Sequence, residues 1–355
     1  MRQINVGIIG VGWCGGIRAH ACAANPLVKG LYLAEIKPER LAEIAAATKP
    51  IKATTEWKEL LDIKEIDALY ISATPETTHY PMARDCLLAG KHVFLEKPIA
   101  MELGEADELI AIARRNNLKF TVGYSQRFSS KQAYIKKCLT DGTLGEPVTA
   151  MVSRHLSRSL GNKINTRTRL SPAAMEATHD IDWVLWCLEP AKPVRVYTQS
   201  VSKVNKHKNN TPDQSWIVIT MDNDVVVTIG AGWILPPGYP NFCTTQIEFI
   251  GTEGALLIDD SHKDVQLMSM KSPGIQYPMS TMPGEPVGHV YAGAMAPETN
   301  YFVDCVARDK PVLVTPEQAR LVMEVYTAAD ISAERNEPVD LPLRKGDNRV
   351  AAAAG

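Results

Sequence analysis

No apolar run in this chain is long enough to cross a bilayer, so no membrane-spanning helix is expected. No block of like charge occurs either: 38 basic and 40 acidic side chains leave a formal net charge of −2. Without a basic patch, neither nucleic acid nor an anionic membrane is an expected partner. Cysteines number only seven, an odd count, and none form a C-x-x-C pair. That argues against a disulfide frame and against a zinc centre, and no metal site is predicted. The N-terminus lacks the charged, apolar and cleavage regions of a signal peptide, and a cytoplasmic location is expected. Repeats and low-complexity linkers are also missing. What the chain does have is 45% hydrophobic residues in 355, enough for two ordinary domains with packed cores.

The first third alternates short apolar runs with helical patterns. Strands are predicted at Ile4–Ile9, Leu31–Ala34, Ala68–Ala73, His92–Leu95 and Phe120–Val122. Helices are predicted at Ile17–Ala24, Glu39–Ala47, Glu76–Leu88 and Glu102–Arg115. Such alternation, with short loops, implies a doubly wound parallel sheet with helices on both faces, the Rossmann arrangement. Beyond Gly145-Glu146-Pro147 the texture changes. Strands are expected at Val148–His155, Val194–Ser202, Ser215–Met221, Val225–Ala231 and Gln246–Ile250, with a hairpin turn at Asn223-Asp224. This predicts an open, mostly antiparallel α+β sheet. Its flanking helices are Ala173–Leu188, Glu298–Ala307 and Pro316–Glu334, and the late pair could pack back on the first domain. The expected division is a dinucleotide-binding domain at 1–124, a substrate-binding and oligomerisation domain at 125–345, and a tail at 346–355.

Gly10-Val11-Gly12-Trp13-Cys14-Gly15 fits G-x-G-x-x-G between a strand and a helix. The first glycine permits the tight turn, the second lets a pyrophosphate approach the backbone, and the third lets the helix pack on the strand. The helix N-terminus then offers free N–H groups and a partial positive charge. Glu35, about twenty residues beyond the motif, is placed to bind ribose hydroxyls, which favours NAD. Lys37 and Arg40 are close enough in sequence to hold a 2′-phosphate, so NADP stays open. Glu96-Lys97-Pro98 follows the strand His92–Leu95, where charged residues point into the ligand crevice of a parallel sheet. A partly desolvated lysine beside a cationic nicotinamide has a lowered pKa, which suits proton transfer. A helix-capping charge cluster is the alternative reading.

The sequence resembles the glucose–fructose oxidoreductase, inositol dehydrogenase and rhizopine-catabolism (Gfo/Idh/MocA) family. Ala73-Thr74-Pro75-Glu76-Thr77-Thr78-His79 is similar to its T-P-N-x-x-H turn. Ala89–Pro98 is similar to its A-G-K-H-V-x-x-E-K-P signature, and Gly123–Phe128 to its G-Y-x-x-R-F segment. Gly251-Thr252-Glu253-Gly254 and Lys310-Pro311 with Val314–Glu317 continue the likeness in order along the chain. The resemblance implies that Gly10, Gly12, Trp13, Cys14 and Gly15 cradle the pyrophosphate. It implies that Thr74, Pro75, His79 and Gln126 line the cofactor cleft, and that Glu96 sits near the nicotinamide ribose. Lys97 would contact both ribose and substrate. The second sheet would form the substrate pocket on one face and an oligomer interface, for a dimer or tetramer, on the other.

Glu176–Trp183 begins an amphipathic helix whose H-x-x-D spacing matches the family's catalytic helix. His179 and Asp182 lie one turn apart and can face one way. A histidine titrates near neutrality and can take a hydroxyl proton as hydride leaves carbon. Many family members carry an aspartate one turn before this histidine; here the position is Met175, and Glu176, Asp180 and Asp182 are the candidate substitutes. Arg154 suits a carboxylate contact, with a solvated sheet face or an oligomer contact as the alternative. The loop Trp233–Phe242, including Tyr239, either walls a sugar site or turns a corner. The expected function is an NAD(P)-dependent oxidoreductase acting on the CH–OH or C=O group of a sugar, sugar acid, glycoside or cyclitol. A dihydrodiol dehydrogenase, an NAD-recycling glycoside hydrolase or lyase, and a non-catalytic NAD-bound sensor are the alternatives.

Overall fold

The computed structural model describes residues 2–344 apart from 167, 206–210, 240–241 and 260–264. The expected tail at 346–355 and the loop residues Pro240 and Asn241 lie outside the described residues. Two compact units form. The first joins residues 2–128 to Gly284–Arg320, and the second joins Ser129–Pro283 to the segment from Leu321 on. The second expected domain is therefore interrupted, because 284–320 returns to the first unit.

The first unit holds strands β1 (Ile4–Ile9), β2 (Val28–Ala34), β3 (Lys52–Thr54), β4 (Ala68–Ile71), β5 (His92–Leu95) and β6 (Phe120–Val122). They pair in the order β3-β2-β1-β4-β5-β6, all parallel. Helices α1 (Trp13–Ala24), α2 (Pro38–Thr48), α3 (His79–Leu88) and α4 (Leu103–Arg115) connect them. Burial on both faces makes these strands continuous apolar runs. The strand order reverses between β1 and β4, which is where a doubly wound sheet opens its ligand crevice. Ile8, Val11, Leu33, Tyr70 and Phe94 form one core with Phe302 and Val306 of the returning helix Met295–Ala307.

The second unit opens with α5 (Ser130–Thr140), β7 (Pro147–Ser157) and α6 (Arg158–Asn165). A π turn at Ala173–Ala177 leads into α7 (Thr178–Leu188). Strands β8 (Pro193–Val201), β9 (Gln214–Met221), β10 (Val226–Leu235), β11 (Cys243–Gly251) and β12 (Ala255–Asp259) follow. Together with β7 and Val339–Asp340 they make a seven-stranded sheet, antiparallel except where β10 runs parallel to β7. From Ala150 on, even-numbered residues of β7 are buried and the odd ones are half-exposed, as a period of two requires. Asp224 takes φ of 66°, as the predicted hairpin turn demands.

Several boundaries differ from expectation. Helix α1 begins at Trp13 rather than Ile17, so the second half of the glycine motif is already helical. Trp233 and Leu235 continue β10 instead of starting a loop. The predicted helix at Ala173–Leu188 is two pieces, a π turn and an α-helix.

Candidate active site

Gly10 follows β1 with φ of +81°, and a Cβ there would lie 2.8 Å from the Ala73 nitrogen. At Gly15 a Cβ would lie 1.8 Å from the Gly10 carbonyl oxygen, so only glycine lets α1 start this close to the strand. At Gly12 a Cβ would meet nothing within 4 Å. The space beside Gly12, at the N-terminus of α1, is thus open to a ligand, and the first-turn amides lack intrahelical acceptors. Arg40 donates from Nε to the Val11 carbonyl at 2.8 Å and from Nη2 to the Gly12 carbonyl at 3.1 Å. The carbonyls of the turn are held from outside while Gly12 keeps its open side. Glu35, half-buried at the end of β2, accepts from the Val11 amide at 2.8 Å and the Lys37 amide at 3.1 Å. Lys37 is exposed at the start of α2. Trp13 donates its indole N–H to Glu285 at 2.8 Å, and Cys14 is half-buried in the first turn of α1. An open glycine cradle at a helix N-terminus, with a carboxylate ending the next strand, fits a dinucleotide.

Thr74 and Pro75 follow β4, exposed and half-buried respectively. His79 does not line a cleft as expected. Its ring is 1% exposed and bridges two main-chain oxygens, Pro98 at 2.8 Å from Nδ1 and Ala73 at 3.1 Å from Nε2. It ties the turn after β4 to the turn after β5. Burial lowers its pKa, and its contacts with the Pro98 carbonyl and nearby Glu76 oppose that shift. Glu96 is also committed inward: its Oε1 accepts from Arg18 Nε at 2.8 Å and Nη2 at 2.6 Å. Arg18 donates further to Glu298 and Thr299, both at 2.9 Å, and its guanidinium lies 4.0 Å from the centre of the Phe94 ring. Lys97 follows, half-buried, with a cis peptide to Pro98. Gln126 is half-buried in a short turn at Ser125–Phe128.

In the second unit, every residue from 171 to 185 is buried except His179, which is half-exposed. Asp182, one turn on, is fully buried. Arg154 is not a solvated residue of the sheet. It is 7% exposed and donates from Nε to Asp180 at 2.8 Å and from Nη2 to the Glu176 carbonyl. Its guanidinium is thereby spent on α7 and the π turn, which removes the free fork a carboxylate ligand would need. His155, on the opposite face of β7, contacts Ser153 at 3.1 Å and Gln214 at 3.3 Å. Tyr239 closes a turn, its amide donating to the Pro236 carbonyl at 3.1 Å, and is half-exposed. Met175 is buried. Of its candidate substitutes, Asp180 is paired with Arg154 and Trp183, and Glu176 accepts from Trp233 at 2.8 Å.

Over residues 4–124 the chain matches the Gfo/Idh/MocA model described as an oxidoreductase family with an NAD-binding Rossmann fold. Over residues 136–341 it matches the model of the family's C-terminal alpha/beta domain. The chain belongs to the Gfo/Idh/MocA oxidoreductase family. A UDP-N-acetylglucosamine 3-dehydrogenase of Acidithiobacillus ferrooxidans is 25% identical, over 94% of this chain and 98% of that protein. A scyllo-inositol 2-dehydrogenase (NAD(+)) of Bacillus subtilis is 24% identical, over 97% of this chain and 98% of that protein. Scyllo-inositol dehydrogenase from Lactobacillus casei, solved with NAD(H) and scyllo-inositol bound, shares the fold. Its TM-score is 0.80 at 20% identity, over 96% of this chain and 99% of that one.

This Gfo/Idh/MocA chain also uses residues that its motifs did not flag. Arg18, 78 positions away in sequence, holds Glu96 and is itself held by Glu298, 280 positions from it. Arg18 left one signal, a cation inside the apolar stretch Ile17–Ala24 of α1, which calls for a buried partner. Glu285 left none, since its contact with Trp13 joins segments 272 positions apart in sequence.

Proposed function

We propose that the chain oxidises a secondary alcohol of a sugar, cyclitol or related polyhydroxylated ring, or reduces the matching ketone, with NAD. The dinucleotide, when bound, supplies the hydride acceptor or donor. Gly10, Gly12 and Gly15 would receive its pyrophosphate, and Glu35 its adenosine ribose. The carboxylate of Glu35 disfavours a 2′-phosphate, so NAD is preferred to NADP. Lys97 and His179 are the two candidates to carry the substrate's hydroxyl proton, one as acid or base and the other as hydrogen-bond partner. The observation that carries this reading is His179, the one half-exposed side chain in an otherwise buried stretch from 171 to 185. The names of the two full-length relatives, one acting on a sugar nucleotide and one on an inositol, support the substrate class. The seven free cysteines support a cytoplasmic setting. The exposed face of the second sheet supports a homo-oligomer.

Purified protein with NAD and a panel of sugars, cyclitols, glycosides and dihydrodiols tests this. Stoichiometric NADH with one class of polyol is the expected result. Bond cleavage without net NADH would instead indicate a hydrolase or lyase that recycles its cofactor, and NAD binding without any turnover a sensor. Lys97→Ala is expected to lower turnover by about 10²-fold or more without changing the melting temperature. Near-normal turnover would remove Lys97 from the chemistry.

A further inference from the structure

Arg154 stands on β7 beneath the π turn and the first turn of α7. A π turn carries one residue more than an α-turn, and each added residue rotates the remainder of the helix by about 100° about its axis. The direction in which His179 leaves α7 therefore depends on the turn at Ala173–Ala177 being held in this form. Periodicity does not enforce it. A helix reverts to the α register unless something outside secures the wider turn.

The buried guanidinium is that external hold. Nε donates to Asp180 at 2.8 Å, on the helix side of His179. Nη2 donates to the main-chain carbonyl of Glu176, inside the π turn, and Nη1 lies 3.7 Å from Glu176 Oε2. The remaining carboxylate oxygens are taken by indoles: Trp233 donates to Glu176 Oε1 at 2.8 Å and Trp183 to Asp180 Oδ1 at 3.3 Å. One rigid fork thus spans residues 176 and 180, which bracket His179. A single ammonium is a point charge on a flexible stem and cannot hold the same three directions.

We propose that Arg154 is a positioning residue: its clamp on Glu176 and Asp180 fixes the π turn and so aims His179. The clamp does from beneath what a carboxylate one turn earlier would do from the side, where Met175 now stands. Arg154 touches no reacting atom. The inference rests on His179 being the proton carrier.

The test uses the full chain and selectively ¹³C-labelled histidine, with His179→Ala identifying the His179 signal among the eight histidines. Charged groups near His179 are Glu176, Asp180 and Asp182 on its own segment and Arg154 from β7. Lys136 of α5 sits at the far end of α7, on the Trp186 carbonyl. Glu176→Gln keeps the acceptor for Trp233 and removes one negative charge. It should lower the His179 titration midpoint by at least about 0.3 pH units. Arg154→Lys keeps the charge and loses the fork. It should shift the His179 signal, leave the histidines other than the adjacent His155 in place, and cut turnover at least about tenfold at unchanged NAD affinity. A purely structural residue would change only the melting temperature. An unmoved His179 signal in both variants, or full turnover by Arg154→Lys, overturns the clamp. If His179→Ala turns over normally, the reading of His179 fails with it. Should Arg154→Lys fold poorly, Asp180→Asn, which takes the carboxylate from Arg154 Nε, is read by the same loss of turnover at unchanged NAD affinity, and full turnover overturns the clamp.

Discussion

Asp330 is 8% exposed, and burial pushes its carboxyl up to about 7, against a hydrogen bond with Ser171 and with Glu334 adding to the rise. An aspartate in the unfolded chain titrates near 3.9. The unfolded state therefore releases this proton as pH rises from about 4, while the folded state keeps it until about 7. Folding loses stability across that window, by an amount on the order of 4 kcal/mol at most, and the loss is complete above it. Asp330→Asn is near isosteric, keeps an acceptor for Ser171 and removes the titration. Thermal melts of both proteins should show Asp330→Asn the more stable at pH 8, with the gap closing towards pH 4. A gap of equal size at both pH values would show that Asp330 does not titrate across this range. Arg18 shows the opposite case: two carboxylates hold its charge in the interior, so it remains a cation at any working pH.

Helix α1 and its turn put two glycines to different uses, and substitution separates them. Gly15→Ala drives a methyl into the Gly10 carbonyl at 1.8 Å, so strand and helix must part. Both the melting temperature and NAD binding should fall. Gly12→Ala places its methyl in open space and changes stability by under about 1 kcal/mol. NAD affinity should still drop at least about tenfold, because the methyl occupies the approach to the backbone. Fluorescence titration with NAD and a thermal melt on each variant give the comparison. Unaltered affinity in Gly12→Ala would move the pyrophosphate elsewhere. Legibility in the sequence divides between local pattern and distant contact. Ile4–Ile9, His92–Leu95 and Phe120–Val122 were legible because buried parallel strands are short apolar runs. Lys52–Thr54 was not, since these three residues become a strand only by pairing with Tyr32–Ala34. The π turn was invisible because hydrophobic periodicity does not report main-chain register. Motifs marked Lys97 and His179, but not the Arg18 and Arg154 networks that brace their neighbours. Those are set by contacts across 22 to 281 positions of sequence.

At the scale of the molecule, one face of the second sheet carries exposed apolar side chains among the described residues. Among its exposed apolar side chains are Trp216 (39%), Val226 (39%), Ile250 (37%) and Leu257 (71%). Trp216 lies flat over Gly230, where a Cβ would meet its ring at 2.4 Å, so the strands β9 and β10 present a smooth platform. Register carries that platform across the sheet, Met151 standing between Thr228 and Glu248, and Glu248 opposite Leu257. Seven strands about 4.8 Å apart span roughly 29 Å, and strands of this length run about 30 Å. The face thus offers roughly 800–900 Å², close to what each partner of a stable complex buries. A two-fold contact of this face with a second copy would bury the tryptophan at its centre, where a binding hot spot is expected. Trp216→Arg puts two like charges against each other at such a centre. It should reduce the sedimenting mass of the protein to that of one chain at micromolar concentration, with the far-ultraviolet circular dichroism unchanged. Wild-type protein that already sediments as one chain, or Trp216→Arg that keeps the wild-type mass, would leave this face to some other use.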